Sequence, residues 1–153
     1  MIKNFVLFLV LNFAALAIGG FFTGDGVPSE WYQTLNQAPW TPPGWVFGAA
    51  WTTIMICFAF YMAFLVKSKK IDMKKVLVIY GIQWVLNVIW NPIFFKWHLT
   101  VIGLCSISLL TLLVIYFLFR YQKILKAKSL LILPYAIWLV IATSLNAYIV
   151  INN

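Results

Sequence analysis

Acidic residues are nearly missing from this 153-residue chain: Asp25, Glu30 and Asp72 are the whole set, and His98 is the single histidine. Ordinary acid–base catalysis draws on such groups held near a reacting centre, and metal sites draw on clusters of His, Cys, Asp and Glu. All four are assigned to loops, so neither a hydrolase nor a metalloenzyme is expected, and no metal ligand set is assigned. Cysteine is equally scarce. Cys57 and Cys105 are the two, far apart and without a C-x-x-C spacing, and they read as small buried packing residues within apolar helices. Charged residues amount to 9% of the chain, far below the quarter or so of a soluble domain. No low-complexity tract and no repeat with a period of about 20–50 residues is present. No segment alternates apolar and polar residues, which disfavours a transmembrane β-barrel.

What remains is apolar. Hydrophobic residues make up 64% of the sequence, and the mean hydropathy is +0.96. Five stretches approach the length of about 20 residues that spans a hydrocarbon core: Phe5 to Phe22, Trp45 to Val66, Val76 to Phe95, Thr100 to Phe119 and Leu130 to Val150. Backbone amides in lipid must bond within their own segment. The chain is therefore expected to be an all-α integral membrane bundle of five transmembrane helices, one domain over residues 1–153. The first stretch has the look of a leader peptide, with Lys3 ahead of the apolar run and Ala15-Leu16-Ala17 like a cleavage site, but it is expected to stay as the first span. Its Ala15-x-x-x-Gly19 spacing is a small-residue notch suited to close helix approach, within the bundle or between copies.

The net charge of +8 marks orientation rather than nucleic-acid binding. Lys3, then Lys67, Lys69, Lys70, Lys74 and Lys75, then Arg120, Lys123, Lys126 and Lys128 fall on one side of the membrane, and only Lys96 falls on the other. The positive-inside rule makes the first side cytoplasmic. The amino terminus is then cytoplasmic, with the carboxyl terminus and first loop outside, at the plasma membrane. These lysines read as a solvated rim that also attracts anionic lipid.

That first loop, Thr23 to Gly44, is long for a compact protein, and it is too aromatic for disorder. Pro28 and Ser29 offer a helix start, Trp31, Tyr32 and Leu35 would share one face of a short helix, and Pro39, Pro42 and Pro43 stiffen the return. The segment reads as a folded lid. Trp40, Trp45 and Trp97 suit a headgroup-level aromatic belt, and Trp31 fits either lid or belt. Trp51, six residues beyond Trp45 and so about 9 Å deeper, and Trp138 within the last span lie too deep for a belt. The third span places Gln83, Asn87 and Asn91 at i, i+4 and i+8 with Tyr80 and Trp90 on the same face, and the fifth carries Tyr135, Trp138, Ala142 and Asn146. Intramembrane amides serve as interhelical glue or as the polar groups of an apolar pocket. Two stripes beside a tryptophan-rich lid favour the pocket.

Four runs carry a resemblance. They are Trp31-Tyr32-x-x-Leu35; Trp40-x-Pro42-Pro43-x-Trp45-Val46-x-Gly48-x-x-Trp51; Leu86-Asn87-x-x-Trp90-x-Pro92-Ile93-Phe94-Phe95; and Pro134-Tyr135-x-x-Trp138-x-x-x-Ala142-Thr143-x-Leu145-Asn146. In order and spacing this sequence resembles the translocator protein family, the tryptophan-rich sensory proteins. The resemblance implies a homodimeric five-helix bundle that binds protoporphyrin-like tetrapyrroles, without a tightly bound cofactor, in a cavity under the first loop. It implies light- and oxygen-dependent porphyrin breakdown in some members, and binding of sterols and benzodiazepine-type drugs in others. The ligand-lining set it implies is Tyr32, Pro42, Phe47 and Trp51, then Asn87 and Trp90, then Trp138, Ala142 and Leu145. Two departures stand out. No basic residue follows Tyr148, which weighs against a sterol motif that is weak in any case, and Gln37-Ala38 replaces the family's usual Lys-Pro in the loop.

Any reaction must come from the bound pigment, with oxidisable indoles beside it; Trp51 and Trp138 are the candidate reactive residues. His98 beside Trp97 could serve as a haem ligand, but a solvated interfacial histidine is the expectation. A transporter of tetrapyrroles and a ligand-gated membrane sensor are the alternatives, and the absence of an evident inverted repeat speaks against the first of these.

Overall fold

The computed structural model describes residues 1–68 and 70–153; Lys69, counted above with the basic rim, lies outside the described residues. Helix α1 spans Ile2–Thr23, a short helix α2 spans Glu30–Thr34 within the lid, and α3 spans Gly44–Lys67. Helix α4 covers Met73–Asn91, α5 covers Thr100–Leu125 and α6 covers Leu133–Asn152. Among the described residues four continuous helical stretches are long and apolar enough to cross a membrane, and the last, Thr100–Asn152, is broken between α5 and α6. It thus supplies two spans, and the five-helix bundle expected from hydropathy is what forms.

Two irregular turns have a common cause. Proline lacks the N–H that closes a helical hydrogen bond. At Pro92 the helix widens into a π-turn over Pro92–Lys96, in which Trp97 N–H bonds Pro92 O at 2.9 Å. Near Pro134 the expected span from Leu130 starts later. Residues Lys126–Ile132 form a 3-10 segment, and α6 begins at Leu133 with Pro134 in its first turn, where the missing N–H costs nothing. The 3-10 segment packs between α3 and α5 and buries Ser129 and Ile132.

Most of the core lies in the half of the bundle nearer the lysines. Phe58, Tyr61, Met62, Phe117, Tyr135 and Leu139 are buried there, with Phe58 in contact with Tyr61, Tyr80, Phe117 and Tyr135 at ring-centroid distances of 5.3 to 6.2 Å. Several buried polar groups in this half are paired across helices. Asn12 Nδ2 donates to Met55 O at 3.0 Å, Tyr80 Oη donates to Asn12 Oδ1 at 2.8 Å, and Tyr61 Oη donates to Phe117 O at 2.8 Å. The Ala15/Gly19 notch is an internal contact: both are buried, and a Cβ at Gly19 would lie 2.6 Å from Asn91 Nδ2. One expectation fails. Cys105 is exposed on the outer surface of α5 and Cys57 is only half-buried; a thiol is apolar enough for a lipid-facing position, so helix membership alone did not imply burial.

Candidate functional site

The lid folds as its punctuation suggests. Ser29 caps α2, its Oγ accepting from Tyr32 N–H at 3.3 Å. Helix α2 ends at Thr34, and Leu35, just past it, still joins Trp31 and Tyr32 in a small apolar cluster with Phe94 and Ile149. Burial pushes the Tyr32 phenol up, so it stays neutral. Trp31 is half-buried within the lid, stacked on His98 with centroids 4.0 Å apart. The lid is also clipped to the chain end. Asn36 N–H donates to Asn153 Oδ1 and Asn36 Nδ2 donates to Asn152 O, both at 2.9 Å. Trp40 is 54% exposed but donates Nε1–H to Ser144 Oγ at 3.1 Å. Trp45 and Trp97, 75% and 55% exposed, hold the surface positions a belt requires.

Beneath the lid lies a cavity of about 390 Å³ walled by α1, α3, α4, α6 and the chain from Thr23 to Pro28. Phe47, Trp51, Asn87, Trp90, Trp138 and Ala142 line it together. The wall is keyed by edge-on aromatic pairs at matching heights of antiparallel helices: Phe47 with Trp138 at 5.3 Å and Trp51 with Tyr135 at 6.1 Å. Tyr32 and Leu145 are set apart, in a narrow space of about 30 Å³ that shares Phe47, Trp90 and Ala142 with the main cavity. Pro42 lies in the return to α3, outside both linings. His98 is at the lid, also outside the cavity lining.

The polar stripe of α4 divides by partner. Gln83 Nε2 donates to Tyr135 Oη at 2.7 Å, Trp90 Nε1 donates to Asn146 Oδ1 at 3.2 Å, and Thr23 Oγ1 donates to Asn91 Oδ1 at 2.8 Å. These tie helices together. Asn87 differs: it is buried and lines the cavity, and its side-chain amide has no protein partner among the described residues. Trp138 Nε1–H is also buried without an acceptor there, at the cavity wall.

Helix α1 supplies a wall that the sequence reading did not assign. Below the cavity α1 meets α3 through Asn12 and Met55; above that contact Ala15, Leu16 and Gly20 face Gly44, Gly48 and Thr52. A Cβ at Gly20 or Gly48 would meet nothing within 4 Å, and both glycines are exposed, so the gap between them is the cavity mouth. The signal available was the run of small residues in both helices. Asp25 is the one charged side chain in the lining, and it shares an adjoining surface recess with Lys96. Among the described residues no three of His, Cys, Asp and Glu come together.

The family model described as "TspO/MBR family" matches residues 6–151 of this chain. The chain is similar to a protein named "Protein CrtK" of Rhodobacter capsulatus, at 30% identity over 93% of this chain and 88% of that one. It is similar to "Tryptophan-rich protein TspO" of Archaeoglobus fulgidus, at 32% identity over 92% of each chain. It is also similar to "Translocator protein" of Homo sapiens, at 29% identity over 82% of this chain and 75% of that one.

Proposed function

This chain belongs to the TspO/MBR family of integral membrane proteins, and on that premise we propose that it binds a flat tetrapyrrole of the protoporphyrin type under the lid and promotes its light- and oxygen-dependent breakdown. The observation that carries this reading is the convergence of Phe47, Trp51, Trp90 and Trp138 with one unpaired amide, Asn87, on a single cavity of about 390 Å³. An apolar space of about 300–1,000 Å³ with few polar groups is what a flat aromatic ligand requires. The macrocycle enters between Gly20 and Gly48 with its carboxylates left toward the mouth. Asp25 repels them there, whereas the amino end of α3 at Gly44 carries about half a positive charge. The mouth and lid face the outside, at the end opposite the lysines.

The illuminated ring supplies the reactivity and O2 is the oxidant; the chain supplies confinement and an electron relay. Trp51 and Trp138 present indoles at the wall: an indole gives an electron to the excited ring, the ring passes it to O2 to form superoxide, and the oxidised indole recovers an electron from the porphyrin, which then combines with the superoxide and is broken down. The test is illumination of purified protein with protoporphyrin, followed by absorption, with dark and oxygen-free controls. Trp51→Phe and Trp138→Phe are expected to retain binding and to slow degradation sharply, while Trp97→Phe leaves both unchanged. Products identical to those of free porphyrin would reject the catalytic reading and favour carriage of the same compounds. Binding and turnover that fall in proportion would reduce both tryptophans to a holding role.

A further inference from the structure

The opposite end of the bundle carries a second recess, unconnected with the aromatic cavity. Its volume is about 490 Å³; Phe64, Ile124 and Leu125 wall it, and Lys67, Lys126 and Lys128 rim it. Cations near helix carboxyl ends are ordinarily explained by the helix dipole, and that account covers Lys67 in the last turn of α3. It also reaches Lys126, the C-cap of α5, but not Lys128, which lies within the 3-10 segment that follows. Lys126 is held at φ 52° and ψ −128°, a backbone conformation open to glycine and costly for a residue with a Cβ. Lys128 is folded back so that its Nζ lies 4.3 Å from the centroid of the Phe64 ring.

Lys67, Lys126 and Lys128 are exposed around one recess, a gathering of like charge that an anion would stabilise, and no carboxylate of the described residues is placed among them. Asp25 and Glu30 are at the lid, and Asp72 accepts from Lys75 N–H as the cap of α4. Among the described residues the three lysines have no acidic partner. The recess therefore combines positive charge that no acidic side chain of the described residues neutralises with an apolar wall, at the end where the apolar helix α3 stops. We propose that it binds an anionic phospholipid, the phosphate between Lys67, Lys126 and Lys128 and the start of an acyl chain against Phe64 and Ile124. Basic pockets between membrane helices suit such headgroups. A free phosphate would satisfy the charge but not the wall.

The experiment uses the full chain in neutral detergent, with native mass spectrometry reading lipid retention during titration by dioleoylphosphatidylglycerol or dioleoylphosphatidylcholine. The expected result is one tightly retained phosphatidylglycerol per chain, held at least tenfold more tightly than phosphatidylcholine. Replacing Lys67, Lys126 and Lys128 together by Gln should abolish that preference. Replacing Lys3, Lys74 and Lys75 by Gln removes the same charge at the same end and should leave it intact. Lys126→Gly separates binding from folding: it relieves the backbone, so thermal stability without lipid should hold or rise while the preference for phosphatidylglycerol falls. Equal losses in the two triple variants would mean a diffuse basic rim and overturn the site. Displacement of the lipid by millimolar inorganic phosphate would overturn the lipid assignment.

Discussion

Gly19 and Gly20 are neighbours in α1, and the structure gives them opposite roles. At Gly19 an added Cβ would lie 2.6 Å from Asn91 Nδ2 and 3.3 Å from its Cγ. Asn91 can swing away only by giving up its bond from Thr23 Oγ1 at 2.8 Å and its own donation to Asn87 O at 3.2 Å. Each is worth about 0.5–1.5 kcal/mol, so the clash costs about 1–3 kcal/mol. Removing a glycine from a helix returns about 0.8–1.0 kcal/mol. Gly19→Ala should therefore lower stability by about 0–2 kcal/mol, and Gly20→Ala, with nothing within 4 Å of its Cβ, should raise it by up to about 1 kcal/mol. The propensity gain is common to both, so the difference between them isolates the Asn91 contact at about 1–3 kcal/mol. Unfolding of the purified variants in detergent, by heat or by SDS titration, measures it. In an Asn91→Ala background the difference should shrink toward zero. Equal effects of the two substitutions in the native background would refute the α1–α4 joint described above.

Asn87→Leu should weaken a flat aromatic ligand by about 1–2 kcal/mol, about five- to thirtyfold in Kd, with stability unchanged; intact binding with a lower melting temperature would make Asn87 a packing residue. Asn153→Ala removes one acceptor from Asn36 N–H and should speed hydrogen exchange in the lid about two- to tenfold, while exchange in α3 stays unchanged. If the lid is no more open, the clip does not hold it. For orientation, a cysteine at Asn153 in a chain lacking Cys57 and Cys105 should react with an impermeant reagent on intact cells, and one at Ser68 should not; the reverse pattern would invert the assignment from the lysines.

Span number, the polarity of the two ends and the presence of a folded lid were legible in the sequence, because each follows from sums or spacings over neighbouring residues. Lipid solvation adds up along about 20 residues, lysines lie where water is, and Pro28-Ser29 starts a helix whatever lies above it. The deep tryptophans Trp51 and Trp138 were legible for the same reason, depth being a count of residues along a helix. Partners were not. Gln83, Asn87 and Asn91 are equivalent in a helical repeat, yet Tyr135 occupies the first, Thr23 the third and the cavity the second. Asn12 is a lone amide in an apolar run, and its place between Met55 and Tyr80 has no local signature. The cavity mouth at Gly20 and Gly48 is defined by side chains that are absent. Whether a missing side chain closes a joint, as at Gly19, or leaves a gap, as one residue later, depends on which helix crosses there and at what height. That is a property of five helices packed together, and no single helix carries it.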